Sequence, residues 1–343
     1  MLITTPAISA IKAAYPEARI TMMVNAGTEV MVAGNPDIEE IIPLEREGNG
    51  NTGRGPSKNL NLISRLRSKK FDLSIDFTIG DRGAFLSFLA GAPQRLGFGP
   101  KKAKQWWWRL AYTRTMPQPK PNRHVVESHL DAVRLLGIDP GKPGLKFCWS
   151  EDEEGRVKTL LREKGLADKN SYLVVHPTSR WMFKTWKVAG YAEVIDAVQE
   201  NLGCPVVLTG GPEEKEKNAV QNILSRCRTR PLDLSERLSL KELGTLIAGA
   251  RCFLGVDSAP MHMAAAVGTP AVALFGPSGD IMWGPWGRGH RVIRKKWPCR
   301  PCGQDGCDGS KVSRCLEAVE AEEVLAVLAG LLAAEGPGRT GSV

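Results

Sequence analysis

From Cys252 to Ser278 the chain reads CFLGVDSAPMHMAAAVGTPAVALFGPS, and few folds can accommodate that order. Cys252–Val256 and residues 271–275 are short continuous apolar runs, the pattern of parallel strands buried on both faces. Between them, Asp257 and Ser258 make a turn, and the residues from Ala259 predict a short helix with Pro260 and His262 in its first turn. Strand, helix and strand form a βαβ unit, whose ligands collect at the carboxyl ends of the strands. Ser258 is placed to cap the helix. The free N–H groups and positive dipole end beside it suit a phosphate, although an Asp-Ser pair at a helix start often does no more than cap.

The same alternation runs through the whole chain. In the first half, helical periodicity covers residues 1–15, 28–34, 60–69, 82–90 and 125–136. Strand patterns cover 20–24, 38–43, 71–77 and 95–98, and a Gly-, Asn- and Ser-rich loop spans 45–58. Residues 137–144, rich in Gly and Pro, read as a linker. The second half repeats the pattern with helices at 153–164, Val188–Asn201, 213–226, Leu240–Gly249 and 321–334, and strands at 172–176 and 205–209. Residues 336–343 have the composition of a disordered tail. Strands alternating with helices predict parallel doubly wound sheets. Two domains are expected, 1–143 and 144–335, with the ligand between two lobes.

The chain has 343 residues, 24% of them charged, and a formal net charge of +9, which fits a nucleic acid, an anionic membrane surface or an anionic substrate. No nucleic-acid-binding motif accompanies the scattered positive residues, so nucleic acid is the weakest of the three. The apolar run 324–334 is shorter than the roughly 20 residues a membrane-spanning helix needs. No charged and then apolar leader opens the chain. A cytosolic protein is expected, in which eight cysteines are thiols or metal ligands rather than a disulfide framework.

Three further stretches carry chemistry. The strand at 172–176 ends in Pro177-Thr178-Ser179-Arg180, with Lys184 and Trp186 just beyond, a set of groups fit to cradle a phosphate or merely to cap the next helix. Gly210 and Gly211 follow the next strand, where glycine lets a ligand approach the backbone. Cys299, Cys302, Cys307 and Cys315 are close enough in sequence to hold zinc or an iron–sulfur cluster, yet match no standard pattern; free or reversibly oxidised thiols are the other reading. Residues 101–121, with three consecutive tryptophans among basic residues and prolines, interrupt the alternation of the sheet and are a core plug, the domain junction or an acceptor-contacting lobe. His124, His129 and His290 read as surface or capping residues, and His176 as a core residue.

Asp-Ser-Ala-Pro-Met-His-Met-Ala-Ala-Ala followed by Gly-Thr-Pro and Phe-Gly-Pro-Ser closely resembles the nucleotide-sugar site of glycosyltransferase family 9, the ADP-heptose heptosyltransferases of lipopolysaccharide core assembly. His-Pro-Thr-Ser-Arg with Lys184-Thr-Trp is similar to its second donor motif, and the segments 298–307 and 310–315 to its heptosyltransferase III branch. The resemblance implies an α/β GT-B architecture of two Rossmann-like domains facing a central cleft. It also implies no cofactor, an ADP-L-glycero-D-manno-heptose donor and a lipopolysaccharide inner-core acceptor, met peripherally at the cytoplasmic face of an anionic inner membrane. By position, Thr178, Ser179 and Lys184 would contact the diphosphate, Gly210 and Gly211 would line the donor, and Asp257 would hold heptose hydroxyls. Ser258, Ala259, Pro260 and His262 would border diphosphate and sugar. Lys184 and the helix start would stabilise the leaving ADP in an inverting reaction, and the chain contains no Asp-x-Asp for a metal clamp. Relatives in this family begin with a strand and a Gly-Asp loop before Leu-x-Thr-Thr-Pro. This sequence opens at that motif, which implies a missing first strand, a missing general base and weak activity. A transferase using another nucleotide sugar, and a nucleotide-binding module without catalysis, remain the competing expectations.

Overall fold

The computed structural model describes residues 1–45, 56–100, 108–166 and 171–333. The chain parts between Pro143 and Gly144 into two compact units. In the first are α1 (Thr5–Ala14), β1 (Thr21–Asn25), β2 (Glu40–Leu44), α2 (Pro56–Ser68), β3 (Leu73–Asp76), α3 (Asp81–Ala90), β4 (Gln94–Phe98), α4 (Trp108–Ala111), β5 (Arg114–Met116) and α5 (Val125–Leu135). In the second are α6 (Glu151–Glu163), β6 (Leu173–His176), α7 (Val188–Asn201), β7 (Val206–Leu208), α8 (Glu214–Leu224), β8 (Leu232–Asp233), α9 (Leu240–Gly249), β9 (Cys252–Val256), α10 (Ala259–Ala266), β10 (Ala271–Leu274), α11 (Asp280–Trp283), β11 (Arg291–Ile293), α12 (Arg314–Glu317) and α13 (Ala321–Ala333).

One stretch departs from the expected division at 143. Val30–Asn35 groups with the second unit, as does Leu2. The cause is Lys241 on α9, whose ammonium donates to the carbonyls of Ala33 (2.7 Å) and Cys148 while lying 4.8 Å from the centre of the Phe147 ring. A charge buried there needs those acceptors, and the segment carrying Ala33 is held with it.

The second unit is one parallel sheet in the order β11-β10-β9-β6-β7-β8. The chain builds β6, β7 and β8 in one direction, then returns to build β9, β10 and β11 on the other side of β6. The reversal puts a topological switch point between β6 and β9, where open α/β sheets bind ligands beyond the carboxyl ends of their strands. The five residues of β9 are fully buried, and Cys252, Leu254 and Val256 join Val175, Leu208, Val272 and Leu274 in one core cluster with residues of α7 and α13. This accounts for strands that read as unbroken apolar runs rather than alternating ones.

In the first unit the strands make two parallel sheets among the described residues, β1-β2 and β3-β4-β5. The strand Arg114–Met116 lies inside the stretch expected to interrupt the sheet. Only three residues long and with just Met116 buried, it carries no period to read. Trp108 is buried and packs with Ala84, Ala111 and Tyr112, so for this tryptophan the core-plug reading is the right one; residues 101–107, with Trp106 and Trp107, lie outside the described residues. His129, expected at the surface, is buried against Phe77 (4.7 Å between ring centres), its Nδ1 3.0 Å from the Ile3 carbonyl. The inward stripe of α5 includes Val125, Val126, His129, Leu130 and Val133 and simply carries it there. His124 caps α5 by accepting from Val126 N. The expected loop over 45–58 falls mostly outside the described residues, though α2 begins within it at Pro56, and the expected tail 336–343 lies wholly outside. α6 starts at Glu151, earlier than its apolar period, because Ser150 and Glu153 form a reciprocal capping box. Among the described residues, no helix is long and apolar enough to cross a membrane.

Candidate active site

β6 and β9 pair in register, with His176 beside Gly255, so the loops leaving them are neighbours by construction. After His176 the chain passes Thr178 and Ser179, both buried, and forms a tight 3-10 turn over Met182–Lys184. After Val256 it passes Asp257 and Ser258 and enters α10. Across this switch point, Lys184 Nζ and Asp257 Oδ2 stand 2.6 Å apart, with the carboxylate side chain 10% exposed and the lysine side chain 22%. The pair ties the turn after β6 to the loop that leads into α10.

The hydroxyls around the pair are more telling. Ser258 is the residue before α10, but its side chain makes no cap hydrogen bond, which corrects the expectation of a capping serine. Its backbone is fully extended, and its buried Oγ has no hydrogen-bond partner. Thr178 Oγ1 is likewise buried without a partner. Burying a hydroxyl unpaired costs about 1–3 kcal/mol. Thr178, in the loop leaving β6, and Ser258, just before α10, thus carry two buried, unpaired hydroxyls, a kind of group that is rare in folded proteins. Ser179 Oγ accepts from Trp181 N, which shapes the turn. Ala259 is exposed, Pro260 buried and His262 half-buried in the first turn of α10.

His176, as expected, is a core residue. Its Nδ1 lies 2.9 Å from Thr209 Oγ1, and full burial holds its pKa down to about 4. Gly210 and Gly211 owe their identity to packing. A Cβ on Gly210 would press on Val220, and one on Gly211 would collide with the carboxylate of buried Glu216, both on α8. The close approach inferred for them is therefore to a helix of this chain. His290, expected at the surface, is half-buried, and burial lowers its pKa to about 4.

The remaining question is what chemistry such a switch-point site serves, and a family model answers it: glycosyltransferase family 9 (heptosyltransferase) matches residues 59–312. The chain belongs to glycosyltransferase family 9. Lipopolysaccharide heptosyltransferase 3 of Escherichia coli is 34% identical over 287 residues, covering 83% of each chain. The crystal structure of the family 9 glycosyl transferase from Veillonella parvula DSM 2008 superimposes with a TM-score of 0.80 at 22% identity, over 96% of this chain and 93% of the other. E. coli heptosyltransferase WaaC with ADP gives 0.75 at 20% identity, over 96% and 95%. The protein is a glycosyltransferase of the GT-B class, built on two Rossmann-like units.

Three residues of this family 9 enzyme that steady the site lie in stretches the sequence singled out, but which groups they would bond to was not legible there. Ser313 Oγ donates to the Phe183 carbonyl (2.6 Å) and Trp186 Nε1 to the Val319 carbonyl (3.0 Å), so the segment before α13 clamps the Lys184 turn. Arg300, its side chain only 6% exposed, donates to the carbonyls of Gly276, Ser278 and Lys295 and to Asp280, fixing the loop that leaves β10. Cys315, beside Gly276, is buried, whereas Cys299 is exposed and Cys302 and Cys307 half-buried, and each is a free thiol. Among the described residues no group of three or more His, Cys, Asp or Glu side chains is arranged to hold a metal ion, so the metal reading of the cysteine run finds no geometry there.

Proposed function

We propose that this enzyme moves heptose from ADP-L-glycero-D-manno-heptose to the inner core of lipopolysaccharide, with inversion and without a metal, while resting on the cytoplasmic face of the inner membrane. The observation that supports it most is the Lys184–Asp257 pair at the switch point, flanked by the unpartnered hydroxyls of Thr178 and Ser258. The sequence identity to lipopolysaccharide heptosyltransferase 3 points to the same donor and acceptor.

In this reading the donor diphosphate lies against the first turn of α10, where backbone N–H groups and the helix dipole favour an anion. Thr178 and Ser258 donate to its oxygens, and Lys184 turns from Asp257 toward the charge that grows on the departing ADP. Asp257, released from the lysine, accepts from heptose hydroxyls. The positive groups thus bind most strongly when the glycosidic bond is breaking, which is where binding lowers the barrier.

The deciding experiment measures heptose transfer from ADP-heptose to a core acceptor, with calorimetry against ADP, ADP-heptose and UDP-sugars. ADP-heptose is expected to bind and turn over. Tighter binding of a UDP-sugar would assign another donor, and binding without transfer would leave a nucleotide-binding module.

A further inference from the structure

Helix α3 packs Leu86 against the Ile42–Leu66–Ala90 cluster but turns both of its phenylalanines outward. Its inward stripe is Ala84, Ser87 and Ala90, all buried, while Phe85 and Phe88 are 56% and 47% exposed. A surface helix ordinarily buries its large apolar side chains and shows solvent its small or polar ones. Ile79, just before α3, is also exposed, and so are Leu110 on α4 and Leu60 on α2.

Phe88 and Leu110 are joined through one arginine. The Arg95 guanidinium lies 5.9 Å from the centre of the Phe88 ring and donates to the carbonyls of Leu110, Ala111 and Ala92, which ties the end of α3 to α4. Arg67 on α2 donates to the Leu89 carbonyl beside Phe88. Arg82 and Arg109 are exposed on the same two helices as the phenylalanines and Leu110. Asp81, the acid opening α3, accepts from the Trp108 indole. Exposed aromatic and aliphatic groups ringed by arginines match the boundary of an anionic bilayer, where rings enter the headgroup layer and guanidinium groups meet phosphate.

We propose that the α2–α3–α4 face, with Phe85, Phe88 and Leu110 at its centre and Arg67, Arg82, Arg95 and Arg109 around them, is the surface by which this enzyme docks on anionic phospholipid. The inference rests on the reading above that the acceptor is held in a membrane. A second copy of the chain is the rival occupant, but arginines on this face would meet arginines, an arrangement that disfavours self-association.

The test is flotation of the full-length protein with phosphatidylcholine vesicles, with and without about one-third phosphatidylglycerol, in the absence of donor and acceptor. The wild type is expected to float with the anionic vesicles only, and less so as salt rises. Phe85→Ser/Phe88→Ser should lose roughly tenfold or more of that binding, Arg67→Gln/Arg109→Gln severalfold, and Phe85→Trp should retain it. All four positions are exposed, so the variants should keep the wild-type melting temperature and their transfer rate on a water-soluble acceptor. Unchanged binding by the double serine variant, or equal flotation with neutral vesicles, would overturn the proposal. So would conversion of a dimer to a monomer by that variant. Because vesicle binding is read without catalysis, a failed heptose assay and a failed docking surface give separate results.

Discussion

Ser313 Oγ donates to the carbonyl of Phe183 at 2.6 Å, across 130 residues of sequence and one position before the lysine that faces Asp257. The serine is buried, and its bond fixes a 3-10 turn too short to hold its own shape. Ser313→Ala should leave donor affinity within about threefold and lower kcat about tenfold, since a lysine on a looser turn still binds but is less well aimed. Ser313→Thr should restore part of the rate. Equal kcat for wild type and alanine variant in a steady-state assay would refute a positioning role.

Lys184→Ala and Asp257→Asn are each expected to reduce kcat/KM by roughly a hundredfold or more, the scale of losing one charged donor at a developing anion. The two groups touch, so the double variant should lose much less than the product of the single losses. Full additivity in that cycle would show that the pair does not act as a unit.

Thr178 makes an opposite prediction for stability and binding. Its hydroxyl is buried without a partner, so Thr178→Val should hold or raise the free protein's stability by about 1 kcal/mol. Affinity for ADP should nevertheless fall about tenfold. Chemical denaturation and calorimetry measure the two effects, and a destabilised variant with unchanged ADP affinity would contradict this role.

Burial lowers the pKa values of His129, His176 and His290 from the ordinary 6.5 to about 4. Their folded forms take up protons later than the unfolded chain, so their contribution to stability is complete above pH ~6.5 and is lost as pH falls toward 4. The loss is on the order of 2–3 kcal/mol per histidine at the acid end. Melting temperatures across that window should fall with pH, and less steeply for His129→Gln measured against its own value at neutral pH. An identical slope for both would rule out His129 as a contributor.

Periodicity determined most of the alternation of helices and strands here, while the expected division near residue 143 came from the Gly- and Pro-rich stretch 137–144, and the two loops after His176 and Val256 from their residue types and from the family resemblance. Those features are local: burial on both faces of a parallel strand forces unbroken apolar runs such as Cys252–Val256, and helix caps such as Ser239 with Glu242 sit within a single turn. What only the tertiary structure decided is which groups stand together. The order β11-β10-β9-β6-β7-β8 makes β6 and β9 neighbours and so sets Lys184 against Asp257. The same packing leaves the Thr178 and Ser258 hydroxyls unpaired, brings Ser313 and Arg300 to the site from far along the chain, puts α8 against Gly210 and Gly211, and turns Phe85 and Phe88 outward. Each depends on contacts between residues distant in sequence, and no periodicity within one element encodes which strand will lie beside another.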